Sequence, residues 1–293
     1  MLWLVLLATV GPSQTAASVT TFNRVVTVSV FTKKLVAVGD LKAEEVRVLE
    51  NEKERRVLGV EPDRRPLEVA IVVDSGATVA ASYRSDLVPA VVDFWKALPP
   101  ETKVALWSTA PAKIAEFGGD LAAGETKLRM IAAAGGNYGF DSMVDASREL
   151  GKRGAPRRVV VYVGSGSLQA SIAGTSALAR AIGETLVTPM AVLVLPSARG
   201  SLSGGPSGDA VQAFDVQGYF GQVAKVYHGA YVEALSTLAV AQWLRQFAAD
   251  LNGQHSVRYE SEAGREGTLK VEIRRKDTKA RVGRSVAEIA TLQ

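Results

Sequence analysis

The sequence predicts an open α/β fold in which a doubly wound, mostly parallel sheet carries helices on both faces, with an additional small β module beside it. Three strand segments in the middle of the chain, at 67–73, 158–163 and 190–195, are apolar almost throughout, which is typical of strands buried on both faces. Segments with apolar residues at helical spacing separate them, and this alternation favours a parallel sheet. The two ends of the chain instead alternate polar and apolar residues, which is the period of half-buried strands.

The two ends are predicted to form one β module. Within the segment 18–65, residues 24–31 alternate as a strand, and a polar turn at 51–53 separates the two strands of a hairpin. The segment 254–293 returns to alternating strands. Since either segment alone is too small for a stable core, we expect them to pair with each other.

The segment 66–253 is predicted to be the α/β domain. Its predicted elements are, in order, a strand at 67–73, a helix near 87–98, a strand at 103–108, an edge strand at 112–117, helices near 124–133 and 141–152, a strand at 158–163, a helix at 175–186, a strand at 190–195 and a helix at 231–252. Residues 197–229 hold seven glycines and no clear period, and they predict a long loop.

The composition of the 293 residues excludes several classes of protein. Apolar residues make up 47% and charged residues 22%, which excludes a disordered chain and a polytopic membrane protein. A net charge of +4 is too small an excess for a nucleic-acid-binding surface. Cysteine is absent and His228 and His255 are the two histidines, so disulfides, a thiolate nucleophile and a histidine-rich metal centre are excluded.

The first ten residues, MLWLVLLATV, form an apolar run, and small residues follow at 15–17. This pattern predicts a signal peptide over 1–17 with cleavage near Ala17, and therefore a secreted or periplasmic protein. The run is shorter than the roughly 20 residues that span a bilayer, so no membrane span is expected after cleavage. The alternative is a buried N-terminal strand, which the absence of Lys or Arg before the run favours.

Polar residues follow the predicted parallel strands at the edge where open α/β sheets bind ligands. The segment DSGAT runs from Asp74 to Thr78, a glycine-rich connection ends at Asp141, and the segment GSGS includes Ser165. We expect these residues to lie on one edge. As alternatives, Asp74 is a helix cap or an acceptor for loop N–H groups, and Asp141 is the N-cap of the helix over 142–152.

These segments, in their order and spacing, resemble a von Willebrand factor A domain, and in particular the exported bacterial proteins in which that domain lies between β segments. PLEVAIVVDSGAT resembles the family's strand and D-x-S-x-S motif, and RRVVVYVGSG resembles its strand and T-D-G motif. LKAEEVRVLENEKERRVLGV, GQHSVRYES and LKVEIRRKDTKARVGR resemble the flanking β segments. The resemblance covers nearly the whole chain after the predicted signal.

The resemblance also implies a metal-ion-dependent adhesion site, in which oxygen ligands bind Mg²⁺ or a similar ion. Asp74 matches the first carboxylate and Thr78 the second hydroxyl of the family's ligands. The first serine of the motif falls on Gly76, the middle threonine approximately on Asp141, and the later aspartate approximately on Ser165. We therefore expect a degenerate site that binds Mg²⁺ weakly, or a loop scaffold without metal.

The function that the resemblance implies is non-enzymatic binding of another protein or a cell-surface component. Aromatic residues anchor many interfaces, so Tyr219 and Phe220 in the predicted loop are predicted to bind the partner, although packing against the sheet edge is the alternative. Ser165 lacks the G-x-S-x-G elbow and a placed base, so no catalytic residue is expected. One rival function is a structural subunit that assembles through its β module. A second rival is a metal-assisted hydrolase, which the small number of metal ligands and bases disfavours.

Overall fold

The computed structural model describes residues 21–110, 112–166, 170–195, 218–262 and 268–287. The strands are β1 (Thr21–Thr32), β2 (Val46–Glu50), β3 (Lys53–Arg55), β4 (Val57–Pro62), β5 (Leu67–Val73), β6 (Lys103–Ser108), β7 (Ala112–Ala115), β8 (Arg157–Ser165), β9 (Thr188–Val194), β10 (Ala230–Ala234), β11 (Gln254–Glu262), β12 (Leu269–Ile273) and β13 (Thr278–Ala287). The α-helices are α1 (Val88–Lys96), α2 (Leu121–Met130), α3 (Gly139–Arg153), α4 (Thr175–Thr185), α5 (218–226) and α6 (Thr237–Asn252). The predicted signal peptide lies outside the described residues.

The central sheet has the strand order β10-β9-β8-β5-β6-β7. Its strands are parallel except β7, which pairs antiparallel with β6 at one edge, as the sequence predicts. Helices cover both faces: Val69 and Ile71 of β5 face α1, α2 and α6, whereas Ala70 and Val72 face α3, α4 and α5. The predicted doubly wound α/β fold is therefore confirmed.

The β module consists of a sheet with the order β13-β1-β11-β4 and a second sheet with the order β12-β2-β3. β1 pairs antiparallel with β11 and β13, and β2 pairs with β12. Apolar side chains from both sheets fill the core between them, among them Val26, Val28, Val48 and Val257. The N- and C-terminal segments thus form the additional module that the predicted fold includes.

The prediction of a continuous helix over 231–252 is wrong at its start. Ala230–Ala234 is strand β10, parallel to β9 at the sheet edge, and α6 begins at Thr237. The apolar residues of the segment AYVEA continue the helical spacing of the residues that follow. Its pairing with β9 nevertheless makes this segment a strand. Leu235 and Leu238, which share the helical spacing of apolar residues in this segment, are 82% and 76% exposed.

Part of the predicted loop at 197–229 is also corrected. Residues 218–226 form helix α5, which buries Phe220 and Val223 against the central sheet. Gly218 and Gly221 lower the helix propensity of this segment, and the packing of its apolar face overrides that propensity. Residues 196–217 of the predicted loop lie outside the described residues.

Arg157, the first residue of β8, joins the β module to the base of the α/β sheet. Its buried guanidinium donates to the side-chain oxygen of Gln254 and to the backbone oxygens of Asp63 and Leu251. The Asp63 carboxylate lies 3.8 Å from Arg157 and 2.6 Å from Arg65. Burial pushes the pKa of Asp63 upward, but the hydrogen bonds and charge of Arg65 and the charge of Arg157 hold it below its ordinary value.

Asp63 is expected to stabilise the protein above about pH 4, the ordinary aspartate pKa, and to lose this contribution in acid. Because the folded-state pKa is lowered, the unfolded chain binds the proton more tightly, so stability falls as the pH falls through the folded pKa. Urea unfolding at about pH 7 and about pH 3 should show that Asp63→Asn costs more at the higher pH. Asp93→Asn, an exposed site on α1, is the control. An equal cost of Asp63→Asn at both pH values would contradict this prediction.

Candidate functional site

The carboxyl ends of β5, β6 and β8 meet at the edge of the sheet where the sequence places its candidate residues. Asp74 and Ser75 follow β5, Thr109 follows β6, and Ser165 ends β8. All four residues are buried. We call these four residues the strand-end cluster.

The carboxylate of Asp74 is occupied by donors from the chain itself. Its Oδ1 accepts the N–H of Gly76 at 2.8 Å and the hydroxyl of Thr109 at 3.3 Å. Its Oδ2 accepts both the N–H and the hydroxyl of Ser165, each at 2.8 Å. Burial raises the pKa of Asp74, and these four donors oppose the rise. Two carboxylate oxygens offer about four acceptor positions, so the group is saturated.

Ser75 and Thr109 join the ends of β5 and β6. The N–H of Ser75 donates to the Thr109 hydroxyl oxygen at 2.9 Å, and the N–H of Ala110 donates to the Ser75 hydroxyl oxygen at 3.1 Å. Thr109 is a residue of this cluster that was not predicted from the sequence. Its position directly after the strand KVALWS is the signal that would have identified it.

Gly164 allows the side chain of Asp74 to cross β8. A Cβ atom at position 164 would lie 2.0 Å from the Cβ of Asp74, closer than any real contact. The Asp74 carboxylate therefore extends across this glycine towards Ser165. Gly164 therefore serves the close packing of the Asp74 side chain against β8.

Asn137 fixes the glycine-rich connection to the same edge. Its side-chain N–H₂ donates to the Tyr162 hydroxyl at 2.7 Å, and its side-chain oxygen accepts the N–H of Gly139 at 2.7 Å. The Tyr162 hydroxyl in turn donates to the backbone oxygen of Ser165 at 2.6 Å. This buried network holds the loop before α3 against the end of β8.

Thr78 and Asp141 lie apart from the strand-end cluster. Because α3 begins at Gly139, Asp141 lies in its first turn and not at the predicted N-cap. The Asp141 carboxylate accepts the N–H groups of Ile172 and Ala173 at 2.9 and 2.7 Å, which fixes the connection after β8. Thr78 is exposed in the short helix Ala77–Val79, and its side chain makes no hydrogen bond to a described residue.

The residues around Asp74 do not fit a divalent cation site. Such a site needs several oxygen ligands that turn towards one ion. Both Asp74 oxygens are already hydrogen-bonded, the Ser165 hydroxyl donates to Asp74, and Gly76 has no side-chain oxygen. Across the described ranges, no three His, Cys, Asp or Glu side chains lie together in a way that could hold a metal.

Mg²⁺ at about 1 mM is expected to raise the free energy of unfolding by less than about 0.5 kcal/mol, since we expect a dissociation constant of about 1 mM or weaker. An ion would have to displace the hydrogen bonds that Asp74 receives. Thermal unfolding of the wild type and of Asp74→Ala, each with Mg²⁺ and with a chelator, measures the effect. A large stabilisation that Asp74→Ala abolishes would show that the site binds metal tightly.

The two predicted aromatic anchors pack against the molecule. Phe220 is buried and stacks on Tyr162 with 5.2 Å between the ring centroids, which favours the alternative that this ring packs against the sheet. Tyr219 is half-buried, meets the Phe140 ring edge-on at 5.8 Å, and donates its hydroxyl to the backbone oxygen of Thr175. The helical conformation of α5 turns both rings inward, and the contact of Tyr219 and Phe220 with a partner stays a prediction.

Four large apolar side chains are exposed around the same edge: Met130, Ile172, Leu235 and Leu238. Met130 ends α2, just before Ala134, whose N–H donates to the backbone oxygen of Ser75. Ile172 follows β8, and the two leucines lie between β10 and the first turn of α6. Single exposed apolar residues are common on protein surfaces, and these four lie on three separate parts of the chain.

No protein-family profile and no curated protein sequence matches this chain. Proximal thread matrix protein 1 from the mussel byssus is similar in structure, with a TM-score of 0.50 and 12% sequence identity. The similarity covers 69% of this chain and 50% of the mussel protein. Another structure of that protein, with a zinc-occupied MIDAS motif, gives a TM-score of 0.47 at 12% identity over the same shares. A von Willebrand factor type A protein from Catenulispora acidiphila gives a TM-score of 0.49 and 9% identity over 92% of this chain and 75% of its own.

These identities show the fold alone. Together with the sheet order and the helices on both faces, the similarity to the mussel protein confirms the predicted von Willebrand A-like fold.

Proposed function

We propose that the protein is an exported, non-enzymatic binding protein. It binds another protein or a cell-surface component through the strand-end edge of its von Willebrand A-like domain, and this binding does not depend on a metal ion. The observation that supports the proposal is the saturated carboxylate of Asp74 together with exposed apolar side chains on the segments that flank the carboxyl ends of the strands. A closed hydrogen-bond network supplies a rigid base, and the exposed apolar side chains supply surface that a partner would bury.

The groups at this edge favour binding over catalysis. The hydroxyl of Ser165 donates to Asp74, and a serine nucleophile needs a base that accepts its proton and is free to transfer it. The two histidines lie elsewhere. His228 precedes β10 at the amino ends of the parallel strands, and His255 lies on β11 in the β module.

Export is proposed from the apolar run at residues 1–10 and the small residues at 15–17. Within the described part of the chain, none of the helices combines the length and the apolar character needed to cross a bilayer. Intact-mass measurement on protein from the native host should give a chain that begins near Ser18. A chain that retains Met1 in a soluble cytoplasmic fraction would contradict export.

Photo-crosslinking in the native host tests the binding face. A photoreactive residue at position 172 should give a defined adduct, whereas the same residue at Leu58, an exposed site on β4 of the module, should not. The double substitution Leu235→Glu with Leu238→Glu should weaken formation of the adduct by more than about tenfold, and a metal chelator should leave it unchanged. Loss of the adduct with the chelator, or an equal adduct at position 58, would overturn the proposal.

A further inference from the structure

A cleft lies at the base of the molecule, between the β module and the amino ends of the parallel strands. One part has a volume of about 660 Å³ and is lined by Arg65, Arg158 and Arg258. A second part of about 820 Å³ is lined by His228 and Arg284. A smaller cavity lined by Arg158, His228 and Arg284 lies between the two parts, and we call the whole the basal cleft. The basal cleft is remote from the strand-end cluster, which lies at the carboxyl ends of the same parallel strands.

Arg158 is the half-buried cation of this cleft. Within the described ranges its guanidinium makes no hydrogen bond or ion pair, and its Nε is fully buried without a partner. The adjacent Arg157, by contrast, donates to four groups of the protein. Glu68 is the acid that acts on Arg158, but Arg153 already binds Glu68 with two hydrogen bonds of 2.7 and 2.9 Å. A partly desolvated charge without a partner is unfavourable unless a ligand compensates it.

Arg284 adds a second positive charge to the cleft. Its guanidinium stacks over the Tyr227 ring at 5.0 Å and donates to the backbone oxygen of Gly183 at 3.2 Å, which holds it in place. Burial lowers the pKa of Arg158, and the charge of Arg284 lowers it further. Burial likewise lowers the pKa of His228, with further lowering from Arg284 and Arg281. The same arginine therefore acts on two separate groups of the cleft.

Within the described ranges, none of the acids that line the cleft forms an ion pair with Arg158. Asp63 is bound by Arg65 at 2.6 Å, and Glu50 is bound by Arg55 at 3.2 Å. Glu61 lies exposed on β4 at the outer wall. Positive charge in a concave site with protein walls concentrates anions there.

We propose that the basal cleft binds a phosphate-type dianion, either free or as a monoester, with Arg158 as its principal ligand. A guanidinium presents paired N–H donors that match two oxygens of such an anion, and the bound anion would give Arg158 the charge partner that it lacks. Arg284 contributes a second positive charge while keeping its own contacts.

Calorimetric titration with inorganic phosphate, against chloride at equal ionic strength, tests this assignment. Wild type and Arg148→Gln, an exposed arginine on α3 that does not line the cleft, should bind phosphate equally. Arg158→Gln should bind at least about tenfold more weakly, and Arg158→Lys should lie between them because it keeps the charge but loses the paired donors. Tighter binding of glycerol 3-phosphate than of phosphate would identify a monoester as the ligand, and the reverse order would identify the free anion.

NMR titration of the two histidines locates the bound anion. Saturating phosphate should raise the pKa of His228, and Arg158→Gln should remove this shift at the same phosphate concentration. The resonances of His255, which does not line the cleft, should not move. Phosphate that binds Arg158→Gln as tightly as wild type, or that leaves His228 unchanged, would be an adventitious ion and would overturn the proposal.

Discussion

Replacement of Arg157 by methionine is expected to lower the free energy of unfolding by about 3–5 kcal/mol, the usual cost of removing one partner from a buried charged network. The substitution leaves the backbone oxygens of Asp63 and Leu251 and the side chain of Gln254 without their donor. It also removes one of the cations near the buried Asp63 carboxylate. The loss falls at the junction of the β module and the α/β domain, so both should be affected.

Arg158→Met is the matched control, since it removes the same group at the next position in the chain. Arg158 makes no hydrogen bond or ion pair to any described residue, so its loss should change stability by no more than about 1 kcal/mol in phosphate-free buffer. Urea unfolding followed by circular dichroism measures both variants. Similar costs for the two substitutions would show that the contacts of Arg157 do not stabilise the junction.

Replacement of Gly164 by alanine is expected to cost about 3 kcal/mol or more, because the new methyl group would overlap the Asp74 side chain. Either β8 or the loop after β5 must move, and the bonds from Ser165 to Asp74 then lengthen. Amide hydrogen exchange at Gly76 and Ser165 should accelerate as a consequence.

Gly39→Ala is the control for this substitution, since a Cβ at position 39 would meet nothing within 4 Å. It should leave thermal stability nearly unchanged. If Gly164→Ala is as stable as Gly39→Ala and exchange at Ser165 is unaltered, then the carboxylate of Asp74 does not depend on this close approach.

The fold was predictable where the pattern of burial is continuous in sequence. β5 and β8 are apolar along nearly their whole length because helices cover both of their faces. β10 was not predictable in this way, because it is a short edge strand whose residues continue the helical spacing of α6. Helix α5 was not predicted because its glycines are typical of a loop. The packing of its apolar face against the sheet is a tertiary contact that the local sequence does not indicate.

The candidate site was predictable in position but not in connectivity. Asp74 follows β5 and Ser165 ends the adjacent β8, and the carboxyl ends of parallel strands lie at the same end of the sheet. Which donor meets which oxygen depends on the register between β5, β6 and β8, and no local pattern encodes it. The strand register places Thr109 and Asn137 within hydrogen-bonding distance of the residues at this end of the sheet. Asp141 instead accepts bonds from the connection after β8, because α3 begins earlier than predicted.

The pairing of β1 with the last strands has a consequence for biogenesis. Arg24 on β1 and Ser285 on β13 are hydrogen-bonded although they lie 261 positions apart in the chain. During synthesis the valines of β1 remain without their partners until β11 and β13 have emerged, whereas the α/β domain is complete by the end of α6. Contacts of such long range form slowly, and unpaired apolar strands are prone to aggregate before they close. The nascent chain is therefore expected to need a holding chaperone at its N-terminal strand, and ribosome profiling of chaperone engagement should show that engagement persists after the whole α/β domain has been synthesised.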